Sequence, residues 1–198
     1  MNQQSDSWTP YYQKTLEKPH HPRTEKALGY AETNARRAID CGCGTGADTY
    51  FLASQGFEVL AFDNTEEAIE LCIKRFKHQP NVRISQASFE SFDFPPTDLV
   101  IANASLFFAD PQCFKQTWQK IENSLLPGGV FTGDFMGPND SWADGMFART
   151  CPLTKTEVLA LFKQFEVLEF NERDETGQTV AGIQKQWHTY SVIAKKLA

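Results

Sequence analysis

The stretch AIDCGCGTG, Ala38 to Gly46, decides how the rest of the chain is read. It begins in a brief apolar run, RRAIDCG, that ends at Gly42 and predicts a strand. GADTYFLASQG follows and predicts a helix closed by Gly56. Strand, glycine loop and helix in that order put the glycines at a βα turn. There a missing Cβ permits unusual φ angles and lets a ligand lie against the backbone. Cys41 and Cys43 invite a metal reading, but zinc needs about four ligands, and His20 and His21 stand at no standard spacing to them. No metal is expected. A phosphate loop is also excluded, because GCGTGAD has no GK[ST] ending.

Two ligand readings survive. Gly42-x-Gly44-x-x-Ala47 fits the dinucleotide fingerprint G-x-G-x-x-G/A, with Asp63 at the right remove to take ribose hydroxyls. The competing pattern is D-x-G-x-G-x-G, from Asp40 to Gly46. A carboxylate at the end of the first strand repels a pyrophosphate but welcomes an ammonium or sulfonium. That favours S-adenosylmethionine (SAM) over a dinucleotide.

Outward from the loop, strands and helices alternate. PRTEKALGYAE predicts a short helix with Pro22 in its first turn. FEVLAFD predicts a second strand and NTEEAIELCIKRFKH a helix. NVRISQAS and TDLVIANAS predict strands three and four. DPQCFKQTWQKIENSLL predicts a helix capped by Asp110, with Pro111 at N1, and stopped by PGG. GVFTGDFMG predicts a fifth strand, and Thr154 with Glu157 a capping box opening a last helix. FEVLEFNERDE and QWHTYSVIAKK predict two final strands with no helix between them, hence an antiparallel pair. The alternation implies a parallel α/β sheet.

Composition narrows the function. With 198 residues, 41% hydrophobic and 22% charged, the chain suits one domain with a sizeable core. The net charge is −6, and Lys and Arg divide ten to nine between residues 1–99 and 100–198, so no basic run predicts nucleic-acid binding. The apolar runs are too short to span a membrane. MNQQSDSWTPYYQKTLEK lacks an apolar core behind a basic start, which predicts no secretory signal. Five scattered cysteines predict reduced thiols and a cytoplasmic location.

The run AIDCGCGTGADTYFLASQGFEVLAFDNTEEAIELC resembles the nucleotide half of the class I SAM-dependent methyltransferases. The resemblance continues through TDLVIANASLFFADP, LLPGGVF and the terminal HTYSVIAKK, covering roughly residues 35–198. The nearest branch is the small bacterial methyltransferases grouped with tellurite-resistance and thiopurine methyltransferases. The resemblance implies a Rossmann-like, doubly wound α/β fold with a seven-stranded sheet ordered 3-2-1-4-5-7-6, strand 7 antiparallel. It divides the chain into an N-terminal arm and helix (1–35), which could close over the cofactor, and a SAM-binding domain (36–198).

It also implies roles for residues. Gly42, Gly44 and Gly46 would lie under the methionyl and ribose part of SAM, and Asp40 would act near its amino group, or instead tie down the loop. Asp63 would accept from the ribose hydroxyls, or merely precede a helix. Asn64 would meet the adenine edge. Ser88 stands where the family often has an acid, and Phe89 either packs on the ring or belongs to the core. Asn103, after strand 4, faces the place of methyl transfer, walled by Leu106, Phe107 and Phe108. Trp187 and His188 would begin near the rim, with His188 the candidate base or a bystander. Asp134, Glu172 and Asp174 could bind a cationic substrate or simply be solvated. Trp8, Tyr11 and Tyr12 could form the flap, and Trp142, Met146 and Phe147 a lid. The expected activity is methyl transfer to a small molecule by in-line displacement, leaving S-adenosylhomocysteine (SAH). An NAD(P)-dependent oxidoreductase and a catalytically silent SAM-binding module remain open, as do the acceptor atom and the oligomeric state.

Overall fold

The computed structural model describes residues 8–32, 35–180 and 182–198. Residues 1–7, 33 and 34 of the expected N-terminal arm, and residue 181, lie outside these. The arm carries helix α1 (Thr9–Thr15), for which no helix was expected, before helix α2 (Pro22–Tyr30), the helix expected at PRTEKALGYAE. Strand β1 (Arg37–Cys41), helix α3 (Ala47–Ser54), strand β2 (Glu58–Asp63), helix α4 (Glu66–Arg75) and strand β3 (Val82–Gln86) follow. Strand β4 (Thr97–Ala102), helix α5 (Phe114–Ser124), strand β5 (Leu125–Met136), helix α6 (Lys155–Leu161) and strands β6 (Phe165–Gln178) and β7 (Gln184–Lys196) complete the chain.

The sheet runs β3-β2-β1-β4-β5-β7-β6. All neighbours from β3 to β5 pair in parallel. Strand β7 is antiparallel to both β5 and β6. The fold and strand order implied by the resemblance are therefore borne out. Strand β4 is buried at all its positions, as a central parallel strand covered on both faces must be. Its alternation splits the core. Val100 joins Phe131, Trp118 and Phe162 on one face, while Leu99 and Ile101 join Ala27, Leu52 and Ile193 on the other. Helices α5 and α6 thus cover the first face, and α2 and α3 the second.

Two boundaries differ from expectation. Helix α5 starts at Phe114, because Asp110 closes a tight turn instead of a helix. Its carboxylate accepts the Gln112 amide at 2.8 Å and its carbonyl the Cys113 amide at 3.0 Å. Strand β5 starts at Leu125, so the PGG read as a stop lies inside the strand, where Leu125 already pairs with Thr97. The capping box of α6 is present, with the Glu157 carboxylate taking the Thr154 amide at 2.8 Å.

Candidate functional site

The turn from β1 to α3 holds three left-handed glycines at alternate positions, at φ +66 (Gly42), +53 (Gly44) and +76 (Gly46). Space forbids a side chain at two of them. A Cβ on Gly42 would stand 2.6 Å from the Ser105 Cβ, and one on Gly46 2.6 Å from the Phe76 ring. At Gly44 the nearest atom is a Tyr12 ring carbon at 3.8 Å, so only the backbone angle requires glycine there. The loop is bolted from outside. The Cys43 amide donates to the Phe62 carbonyl at 2.9 Å, and Arg75 donates to the Thr45 carbonyl at 2.8 Å.

Acids surround this loop. Asp63, at the end of β2, accepts the Gly44 amide on one oxygen at 3.0 Å and the Thr65 amide and hydroxyl on the other. With its proton so engaged, Thr65 accepts from the Tyr12 hydroxyl at 2.7 Å. Asp40 is buried at the end of β1 and accepts the Thr49 hydroxyl at 2.6 Å. Burial, and then the charges of Asp48 and Asp63, push the Asp40 carboxyl up to about 8. Burial also raises the Tyr12 phenol, and Asp63 adds to it.

A second network lies past β4 and β5. Arg23, in the first turn of α2, forks onto Asp134 at 2.6 and 2.5 Å and reaches the Asn103 carbonyl oxygen at 3.0 Å. The Asn103 amide in turn donates to Thr24 and to Asp48. Asp134 takes two more bonds, from Ser191 and from the Ala104 amide. Burial alone would raise its carboxyl, but the Arg23 charge and these bonds hold it below its ordinary value. Asp134 is thus no solvated acid. Ala104 pays for the geometry with φ +51, a left-handed angle on a residue with a Cβ. Sequence reasoning missed Arg23 and Asp48. Arg23 meets a partner 111 positions away, which no local pattern records. An acid in the first turn after the glycines was the available signal for Asp48.

The remaining expected residues are spread out. Asn64 is exposed beside Asp63. Ser88 shares a hydrogen bond with Ser91 at 3.2 Å. Phe89 is buried, edge-on to Phe62 at 5.3 Å. His188 differs from the open rim position expected of it. Its ring is buried against Gly137, and its Nδ1 accepts the Asn139 amide at 3.1 Å, which leaves Nε2–H facing Glu172 at 3.3 Å. Strand alternation puts His188 with Tyr190 and Phe135, on the face opposite Arg23, Asp134 and Ser191. Glu172 also pairs with Lys155, and Asp174 with Asn139 and Gln186.

Two segments cover the strand ends. Helix α1 lies over the glycine loop, where Thr9 donates to Glu67 and Thr45 donates to the Thr15 carbonyl. The 137–153 loop is clamped to β7 by Asp140, which holds the Lys185 ammonium, the His188 amide and the Trp142 amide. Burial holds Lys185 below its ordinary pKa despite that partner. Among the described residues, no group of three or more His, Cys, Asp or Glu is placed to hold a metal ion, and no helix is long and apolar enough to cross a membrane.

Comparison with known proteins agrees with this geometry. A family model described as "Methyltransferase domain" matches residues 38–129. The chain is 29% identical over 105 residues to a carboxy-S-adenosyl-L-methionine synthase of Photorhabdus laumondii, covering 50% of this chain and 42% of that protein. It is 33% identical over 97 residues to a probable thiol methyltransferase 2 of Arabidopsis thaliana, covering 47% and 43%. The matched segments thus span less than half the length of these curated relatives. Among solved structures, TehB from Haemophilus influenzae superposes with a TM-score of 0.76 at 15% identity, covering 98% of this chain and 67% of that one. A Burkholderia thailandensis 1,6-didemethyltoxoflavin-N1-methyltransferase, solved with that compound and SAH, gives 0.70 at 20% identity, covering 98% and 83%. These two likenesses speak to fold. A methyltransferase-domain match over residues 38–129, relatives that act on SAM or methylate, and a fold shared with SAM-dependent methyltransferases all support the resemblance read from the sequence.

Proposed function

We propose that this chain uses SAM to methylate a small molecule in the cytoplasm, releasing SAH. One observation carries the reading: the Gly44 amide is tied to the Asp63 carboxylate, so glycine loop and ribose-binding acid form one rigid seat. The residues fit SAM on two counts. The loop backbone is uncovered at Gly44 except for the Tyr12 ring. Asp40, Asp48 and Asp63 gather negative charge where a cation is wanted, and a cation is what would return Asp40 to its ionised form.

SAM, when bound, supplies a methyl group already activated on sulfonium sulfur. The chain's own residues then bind, orient and exclude water. In this reading Gly42, Gly44 and Gly46 receive the methionyl and ribose part, and Asp63 accepts from the ribose with the lone pair left on the oxygen that takes the Gly44 amide. Asp40 faces the amino group, while Asn64, Ser88 and Phe89 border the adenine. Asn103 borders the transfer site with its backbone, since its side chain is spent on Arg23, Thr24 and Asp48. In this reading acceptor, methyl and sulfur are held in line for displacement, and such alignment supplies much of the acceleration. The arm, residues 1–35, acts as the flap over the domain formed by 36–198. His188 serves here as a positioning residue of the hairpin, and no proton step is assigned to it.

Calorimetric titration of the purified chain with SAM, SAH, NAD and NADP tests the cofactor. Binding of the first two and not the last two is expected, and the reverse pattern would mean an oxidoreductase. Turnover of labelled SAM, with products identified by mass, tests the transfer; tight binding without any product would leave a silent SAM-binding module.

A further inference from the structure

Asp63 is more heavily engaged than an acid held ready for two ribose hydroxyls would be. An ionised carboxylate offers about four lone pairs, two on each oxygen. One oxygen of Asp63 takes the Thr65 amide at 3.0 Å and the Thr65 hydroxyl at 2.9 Å, which fills it. The other takes the Gly44 amide at 3.0 Å and keeps one lone pair.

The Thr65 hydroxyl is not free to step aside. It has one proton, and a carboxylate can only accept, so that proton points at Asp63. The Tyr12 hydroxyl therefore donates to Thr65, at 2.7 Å. Tyr12 is buried, and burial holds its phenol above the ordinary pKa, so the donor keeps its proton. Helix α1, which carries Tyr12, is pinned at both ends. Thr9 donates to Glu67 at 2.7 Å, and the Thr15 carbonyl accepts from Thr45 at 3.2 Å. Nor does Thr65 have a second task to draw it away. It precedes α4, yet its side chain caps no amide of that helix.

We infer that Asp63 binds one ribose hydroxyl and no more, because Thr65, locked by Tyr12, keeps the second from it. The inference rests on the SAM reading and makes Thr65 and Tyr12 determinants of how the ribose is recognised. Turning Thr65 away to admit a second hydroxyl would exchange one hydroxyl bond on Asp63 for another and leave the buried Tyr12 donor without a partner, a net loss. A hydrogen bond to a carboxylate is roughly twice as strong as one between neutral groups, so the two ribose hydroxyls should count unequally.

Calorimetric titration of the full chain with SAH, 2′-deoxy-SAH and 3′-deoxy-SAH tests this, in the parent and in Asp63→Ala. In the parent, removing one hydroxyl should weaken binding at least about tenfold, and in Asp63→Ala the same removal should cost no more than about twofold. Removing the other hydroxyl should cost the same factor in both proteins, since Asp63 does not touch it. Asp63→Asn, read for a drop of at least about threefold in the first cost, serves if the alanine variant binds too weakly to measure. Thr65→Val keeps the side-chain shape and frees the filled lone pair, so there the cost of removing the second hydroxyl should rise at least about threefold. Thr65→Ala serves if the valine variant misfolds. Costs that fall for both hydroxyls alike in the Asp63 variant would overturn the inference, as would an unchanged second cost in a folded Thr65 variant. Failure of SAH to bind the parent, or no fall in either cost in the Asp63 variant, would instead overturn the cofactor assignment on which the inference rests.

Discussion

The loop at residues 42–46 and the loop at residues 137–153 flank the same strand ends, yet different forces fix them. The first is held through its backbone. Three left-handed glycines, an amide on Asp63 and carbonyls on Arg75 and Cys72 leave its side chains almost no part to play. The second is held through its side chains, by a buried ion pair and a stack of aromatic rings. A backbone-built site takes one ligand shape and tolerates little substitution. A site built from side chains can be recut residue by residue without moving the chain. The contrast suits a common donor on one side and an individual acceptor on the other.

The sharpest way to break the contrast is Gly46→Ala. Left-handed strain of about 1–2 kcal/mol adds to overpacking of about 1–3 kcal/mol against Phe76, so thermal melting should fall by roughly 5–15 °C. An alanine scan of residues 141–147 should show no single loss of that size. Should Gly46→Ala melt like the parent, the loop is not backbone-limited.

Asp63→Ala comes next, with at least about a tenfold loss of SAH affinity by calorimetry, since charge-assisted hydrogen bonds contribute roughly 1.5–3 kcal/mol. A folded variant with parental affinity would remove Asp63 from the ribose site.

Asp40 gives a pH test. Its folded pKa, about 8, is raised from 3.8, so the folded state keeps a proton that the unfolded chain releases. Its contribution to stability therefore falls as pH rises between those values and is flat above about 8. A cationic ligand prefers the ionised form, so SAM affinity should rise about fivefold from pH 7 to pH 8, with proton release on binding. In Asp40→Asn that pH dependence should vanish; if it persists, another group titrates.

The smallest effect is expected from deleting residues 1–15. Loss of the Tyr12 and Thr9 hydrogen bonds should weaken SAH binding roughly threefold while melting stays cooperative. Unchanged affinity would reduce α1 to a packed arm.

The alternating strands and helices and the antiparallel final pair were legible because glycine spacing, the acid ending FEVLAFD and the absence of a last helix are local signals, whereas the strand order itself was implied by the family resemblance. The helix that begins at Phe114 was less so: DPQ is as good a tight turn as a helix start, and only tertiary packing chooses. The face on which His188 lies was not legible, since β7 is paired on both sides and its polar and apolar residues do not alternate cleanly. The Arg23–Asp134–Asn103 network was invisible for another reason. Its members lie 80 and 111 positions apart, and nothing around Arg23 distinguishes it from a solvated helix arginine.

The buried Lys185–Asp140 pair has a kinetic consequence. Breaking it strands two charges beside tryptophans, whereas lifting α1 uncovers the Tyr12 ring and frees a few hydroxyls that water readily serves. In the flap role proposed for the arm, opening is therefore expected at the amino-terminal helix, with SAH leaving by the door through which fresh SAM arrives.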